Sequence, residues 1–182
     1  MPTVLVPLAQ GCEELEAVTI IDLLRRANIE VITAGLDDKP VKGSRGTVLI
    51  PDMTLDEALG NTFDMVVLPG GLPGSDNLNN DPRIHTLLKE LHAQGKYTAA
   101  ICAAPKVLAN AGLLTNKQAT SYPGVLDKMQ VPDMSYINAP VVQDDKVITS
   151  RGPGTAMDFT LTLIELLVGE VTKNQVEAGL VR

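Results

Sequence analysis

Cys102 is one of only two cysteines in the chain, and it ends the apolar run of "AAICAAPKVLANAG" (99–112). A strand turning straight into a helix at this point makes an elbow that projects the thiol from a sheet edge. Ala100, Ala103 and Ala104 leave room around it. The positive end of the following helix favours a thiolate. At an ordinary pKa of about 8.5 a thiol is roughly 3 % ionised at pH 7, and a fall of about three units would ionise nearly all of it. The same position also suits a buried structural cysteine, a common setting for this residue type.

Two further stretches carry groups that could serve such a thiol. In "LPGGLPG" (68–74) the spacing fits neither a dinucleotide fingerprint nor a P-loop. Gly70 and Gly71 could aim backbone N–H groups at an oxyanion beside Cys102, or could simply end a strand. Glu13, Glu14 and Glu16 open a helix, where solvated carboxylates favoured by the dipole account for Glu13 and Glu14. Glu16 lies one turn in, toward the neighbouring strand ends. Desolvation and a nearby thiolate would raise its pKa, making it a hydrogen-bond donor to sulfur or a proton shuttle. His85 and His92 fall in a different helix, so no Cys–His dyad forms at the elbow. Two cysteines and two histidines, set apart, do not assemble a closed zinc site, and no metal is expected.

The elements that must hold these groups alternate along the chain. "TVLVPLA" (3–9), "IEVITAGL" (29–36), "FDMVVLPGG" (63–71) and "YTAAIC" (97–102) read as buried strands. Between them, Ala17, Ile20, Ile21, Leu24 and Ala27 follow helical spacing, and "PRIHTLLKELHAQG" (82–95) and "APKVLANAG" (104–112) read as helices closed by glycine. "TVLIPD" (47–52) is a short strand before a turn or helix near 55–59. Short strands occupy 118–150, and two helices, 154–169 and about 170–181, finish the pattern. The alternation predicts one α/β domain over 1–182, a flavodoxin-like three-layer sandwich with a mostly parallel sheet and a strand-to-helix nucleophile elbow. Ligands in such folds gather at the carboxyl ends of the strands, where Glu16, Gly70 and Cys102 converge.

Composition narrows the function classes. A net charge of −7, with aromatics at 3 % and no basic cluster, argues against nucleic acid as the primary partner. No apolar run is long enough to span a bilayer, and no export leader is visible, so a cytoplasmic protein with reduced thiols is the expectation.

With those residues in place, "GCEELEAVTIIDLLRRANIEVITAGL", "VVLPGGLPGSDNL", "AAICAAPKVLANAGLL" and "ITSRGPGTAMDF" resemble the ThiJ/PfpI superfamily over essentially the whole chain. The closest branch is that of the Parkinsonism-associated protein deglycase and its bacterial relatives. The resemblance implies a homodimer with Cys102 as nucleophile and Glu16 bound to its sulfur. It implies a small anion pocket from Gly70, Gly71 and Ala103, bordered by Tyr122 and by Pro153 of the "RGPGT" segment. Glu13, Arg26 and Arg45 match positions near the dimer interface. Ala103, where the peptidase-like branch has a histidine, fits the deglycase-like branch. Two departures stand out. "SYP" places Tyr122 where the human relative has a histidine, and Cys12 replaces the usual alanine or serine, as a resolving thiol or an inert one.

The implied activity is cofactor-free conversion of small α-oxoaldehydes, methylglyoxal or glyoxal, to 2-hydroxy acids, with a protective role in oxidative stress. Deglycation of glycated groups would use the same chemistry. The alternative is a redox sensor or chaperone-like stress protein acting through Cys102 oxidation. A peptidase reading lacks its histidine.

Overall fold

A computed structural model describes residues 1–182. Strands β1 (Thr3–Leu8), β2 (Glu30–Gly35), β6 (Met65–Leu68), β7 (Tyr97–Ile101) and β11 (Val147–Ser150) form the parallel centre of a seven-stranded sheet. Its edges are β10 (Val141–Asp144), antiparallel to β11, and β5 (Met53–Thr54), parallel to β2. Two small two-stranded sheets lie outside it. They pair β3 (Val41–Lys42) with β4 (Val48–Leu49), and β8 (Gln118–Ala119) with β9 (Ser135–Tyr136). The strand order β10-β11-β7-β6-β1-β2-β5 shows the chain running outward from β1 to β2 and β5 before crossing back to β6.

Because successive strand residues face opposite sides, the near-continuous apolar strands feed two cores. Val4, Val6, Met65, Val67, Ala99 and Ile148 meet Ile20, Leu24, Phe159 and Leu163 on one face. The last four belong to helices α1 (Glu14–Arg26) and α6 (Ala156–Val168), and Val176 of α7 (Glu170–Gly179) joins them. Leu5, Val66, Leu68 and Ala100 meet the other helices on the opposite face. Those are α2 (Leu55–Ala58), α3 (Gly74–Asn79), α4 (Pro82–Ala93) and α5 (Pro105–Asn110). The result is the flavodoxin-like α/β sandwich the alternation predicts. No helix is long and apolar enough to cross a membrane.

Several boundaries differ from those read in the sequence. The strand expected over 63–71 ends at Leu68, since Pro69 has no N–H for the ladder. The segment that follows contains α3, hidden in the sequence by the poor helix propensity of Gly74, Ser75 and Asn77. Helix α5 starts at Pro105, three residues beyond Cys102, so the elbow is a separate turn closed by Ala104 N–H donating to Ile101 C=O at 3.1 Å.

Candidate functional site

Three strand ends deliver the site. Helix α1 follows β1, the Pro69–Gly71 strip follows β6, and Cys102 follows β7, where the crossover of the sheet order leaves a crevice. Cys102 sits in the left-handed region at φ +67, a conformation uncommon for a side chain bearing Cβ and concentrated at functional sites. The residue is 9 % exposed.

Glu16 owes its place to helix periodicity. It stands one turn before Ile20 and two before Leu23 and Leu24, on the stripe of α1 that faces the core, and it is fully buried. Its Oε1 accepts the Gly70 N–H at 3.0 Å. Its Oε2 is buried without a nitrogen or oxygen partner, and the Cys102 sulfur interacts with this carboxyl. Burial raises the Glu16 pKa to about 7, against the opposing pull of Cys102 and the Gly70 amide.

Gly70 is fixed by the crowding between these two side chains. A Cβ there would lie 2.5 Å from Cys102 Cβ, 2.7 Å from Glu16 Oε1 and 2.7 Å from the Ile101 carbonyl oxygen. Gly71 adopts φ +92, and its Cβ would lie 2.4 Å from the Glu13 nitrogen. The backbone N–H groups of Gly71 and Ala103 pull the sulfur's pKa down. The expected anion pocket is thus smaller than the sequence suggests. The Gly70 N–H is occupied by Glu16, so Gly70 positions the acid.

The free thiolate expected from a helix end is not what this geometry makes. Burial pushes the Cys102 thiol up to about 12, and the ionised Glu16 carboxylate adds to the rise. The hydrogen bond between the pair acts in the same sense, raising the thiol and lowering the carboxyl, so the thiol donates to the ionised carboxylate. Protonating Glu16 removes the repulsion. The pair therefore holds two protons below about pH 7 and one above it.

The remaining candidates divide by place. Tyr122 donates its backbone N–H to the Cys102 carbonyl at 2.8 Å, and its half-exposed ring lies against Gly152. Pro153, half-buried, opens the short turn that follows Gly152. Glu13 caps α1, accepts Ser44 Oγ–H at 3.1 Å and faces Arg45 at 4.0 Å. Arg26 pairs with Asp22 on its own helix.

Glu14 departs from the solvated reading. The turn at Gly43 closes over it, leaving both carboxylate oxygens buried without a partner. Cys12 is buried against Gly71 and Gly74, and burial with the Glu14 and Glu13 charges lifts its thiol to about 11. Arg151 carried no individual expectation. Its guanidinium donates to the Ser121 carbonyl and the Tyr136 hydroxyl, each at 3.3 Å, and to the Asn138 side chain. A groove of about 580 Å³ on the same sheet edge is lined by Gln10, Asp37, Asn77 and Arg83 and excludes Cys102. Gln10 and Arg83 there are committed to partners within the chain.

The sequence model of the DJ-1/PfpI family matches residues 2–166. The Parkinson disease protein 7 homolog of Danio rerio is 43% identical over 180 residues, covering 97% of this chain and 95% of its own. A Caenorhabditis elegans relative named glutathione-independent glyoxalase DJR-1.2 is 38% identical over 165 residues, covering 91% and 88%. The crystal structure of Drosophila melanogaster DJ-1beta superposes with a TM-score of 0.95 at 43% identity, covering 99% of this chain and 97% of its own. Oxidized Toxoplasma gondii DJ-1 does so with a TM-score of 0.95 at 39% identity, covering 100% and 98%.

Proposed function

Since the chain belongs to the DJ-1/PfpI family, we propose that it is a glutathione-independent glyoxalase working on small α-oxoaldehydes through Cys102 and Glu16. The observation that carries this reading is the buried acid–thiol pair, whose two side chains are close enough that a Cβ on Gly70 would meet both. A relative sharing 38% of its residues bears the name of that activity.

In the proposed reaction the Cys102 sulfur bonds to the aldehyde carbon, and the proton of the pair passes to the carbonyl oxygen, giving a hemithioacetal. The Gly71 and Ala103 N–H groups stabilise the oxyanion as it develops. Glu16, ionised once that proton has gone, removes a proton from the former aldehyde carbon and returns it to the adjacent carbon, while the hydroxyl proton passes from the first oxygen to the ketone oxygen through an enediol. The first carbon is oxidised and the second reduced, leaving a thioester of the 2-hydroxy acid. Water cleaves the thioester and regenerates the thiol. Methylglyoxal plus water thus becomes lactate, with no outside oxidant or reductant. A carboxyl with its pKa near 7 suits both halves of the relay.

The test measures lactate from methylglyoxal without glutathione. Fully reduced wild type should form it, and Cys102→Ser should not. No lactate from wild type with a confirmed free thiol sinks the reading. Redox sensing is then the surviving alternative, favoured by a Toxoplasma relative solved in an oxidised state.

Assembly is proposed as a homodimer through the outer face of α1 and the β3–β4 hairpin. Leu15, Val18, Val48 and Ile50 are exposed there, and Val18 and Ile50 line a groove of about 550 Å³ with Arg26. Glu13 and Arg45 sit beside this face. Cytoplasmic residence and an oxidative-stress role belong to the same proposal, as does deglycation of glycated groups.

A further inference from the structure

The aromatic residues of this chain number five, two phenylalanines and three tyrosines. Phe63 and Phe159 are buried, Tyr97 and Tyr136 partly so, and Tyr122 alone is half exposed. An exposed aromatic ring forgoes its burial free energy, and here it does so beside the only elbow thiol. The Tyr122 backbone is one hydrogen bond from the Cys102 carbonyl, so ring and nucleophile share a frame.

One side of the ring is backed by protein. A Cβ on Gly152 would lie 3.3 Å from ring atom Cδ2, so this glycine lets the ring rest close against backbone. The segment behind it is braced from several directions. The Ser121 carbonyl accepts from Arg151 Nε and the Tyr136 hydroxyl at 3.3 Å each. Ser121 Oγ accepts the Leu126 N–H at 3.0 Å, and the Thr120 N–H donates to Thr149 Oγ1 at 2.9 Å. The Tyr122 hydroxyl makes no hydrogen bond to protein. The outcome is a half-exposed aromatic ring with one edge against Gly152, carried by the segment that hydrogen-bonds to the Cys102 backbone.

We propose that Tyr122 is a specificity-determining residue whose ring receives planar, π-bearing substituents, so that the site favours aryl-substituted α-oxoaldehydes over methylglyoxal. The choice of substrate class rests on the aldehyde reading above. Arg151 acts as a positioning residue, holding the Ser121–Tyr122 segment that carries the ring. Stacking of two aromatic groups gives a preference of roughly 2- to 10-fold.

The experiment has two readouts. The first is the ratio of kcat/KM for phenylglyoxal to that for methylglyoxal, in wild type, Tyr122→Phe and Tyr122→Leu. Tyr122→Phe keeps the ring and should keep the ratio, whereas Tyr122→Leu should lower it roughly 2- to 10-fold. Arg151→Met should lower it in the same direction. An equal ratio in all three Tyr122 proteins overturns the proposal. The second readout needs no turnover. It measures how strongly mandelate and lactate slow alkylation of Cys102 by iodoacetamide, resolved by peptide mass spectrometry. Mandelate should protect better than lactate in wild type and Tyr122→Phe, and lose that advantage in Tyr122→Leu. Equal protection by the two acids also overturns the proposal. A wild type that turns over neither aldehyde yet is protected by mandelate through Tyr122 would sink the glyoxalase reading and leave the aromatic site standing.

Discussion

Glu16→Gln should make the fold more stable at alkaline pH while removing the proposed proton relay. The Glu16 carboxyl titrates at about 7 in the folded chain against 4.5 as its ordinary value. A folded-state pKa raised above the unfolded one means that stability is fully present below about 4.5. It is then lost as pH rises through about 7, because the unfolded chain releases its proton first. The gap of about 2.5 units corresponds to about 3 kcal/mol as a ceiling, since about 1.4 kcal/mol attaches to each unit. Glutamine keeps an oxygen for the Gly70 N–H and never ionises, so it does not incur this loss. Urea unfolding at pH 4.5 and 8.5 measures it directly. The stability of Glu16→Gln relative to wild type should rise by up to about 3 kcal/mol between the two pH values, or about 6–12 °C in Tm for a chain of this size. Asp64 and Asp81 are both held below their ordinary values by lysine or arginine partners, and they titrate alike in both proteins. They cancel in the difference. Cys12 at about 11 and Cys102 at about 12 lie outside the window. A difference between the two proteins that is flat with pH would refute the claim that Glu16 is buried at the expense of its charge.

Other consequences follow from the same geometry. Gly70→Ala should cost about 2–4 kcal/mol in urea unfolding and abolish lactate formation, because the new methyl meets backbone at Ile101 as well as Cys102 and Glu16. The rate of Cys102 alkylation plotted against pH should step near 7, where the acid–thiol pair releases its first proton, and the step should vanish in Glu16→Gln. Cys12 should resist both alkylation and peroxide in the native protein. On non-reducing gels after mild peroxide, wild type and Cys12→Ser should look the same, and a band present only in wild type would make Cys12 a resolving thiol.

How far the sequence reveals this site depends on which interaction places each group. Periodicity exposes Glu16, because a carboxylate four residues before Ile20 and on the same stripe as Leu24 must face the core. Apolar runs ending in glycine or cysteine mark the strand ends, and their alternation with helical spacing fixes the sandwich. Glu14 escapes such reasoning. It lies off the stripe, and its burial comes from the turn at Gly43, a tertiary contact without local signature. The role of Gly70 is equally non-local, since only the meeting of three strand ends shows that its N–H serves Glu16. Helix α3 was obscured because its residues favour loops, and packing of Leu78 into the core overrides that preference.

The acid–thiol pair resolves an apparent conflict in the site. Seclusion suits the chemistry, because water would hydrolyse an adduct prematurely and weaken the two amide contacts, yet seclusion also penalises the thiolate that must attack. A permanent cation beside sulfur would relieve the penalty but could not later accept a proton from carbon. In the proposed reaction Glu16 would serve both needs in turn: as a neutral acid it spares sulfur the repulsion of a carboxylate, and as a carboxylate it collects a proton once the adduct has formed. Its own burial sets its pKa near 7, where either form is accessible at little cost. The proposed relay would use the buried Oε2, which has no hydrogen-bond partner, while Oε1, tied to Gly70, fixes the aim of the side chain.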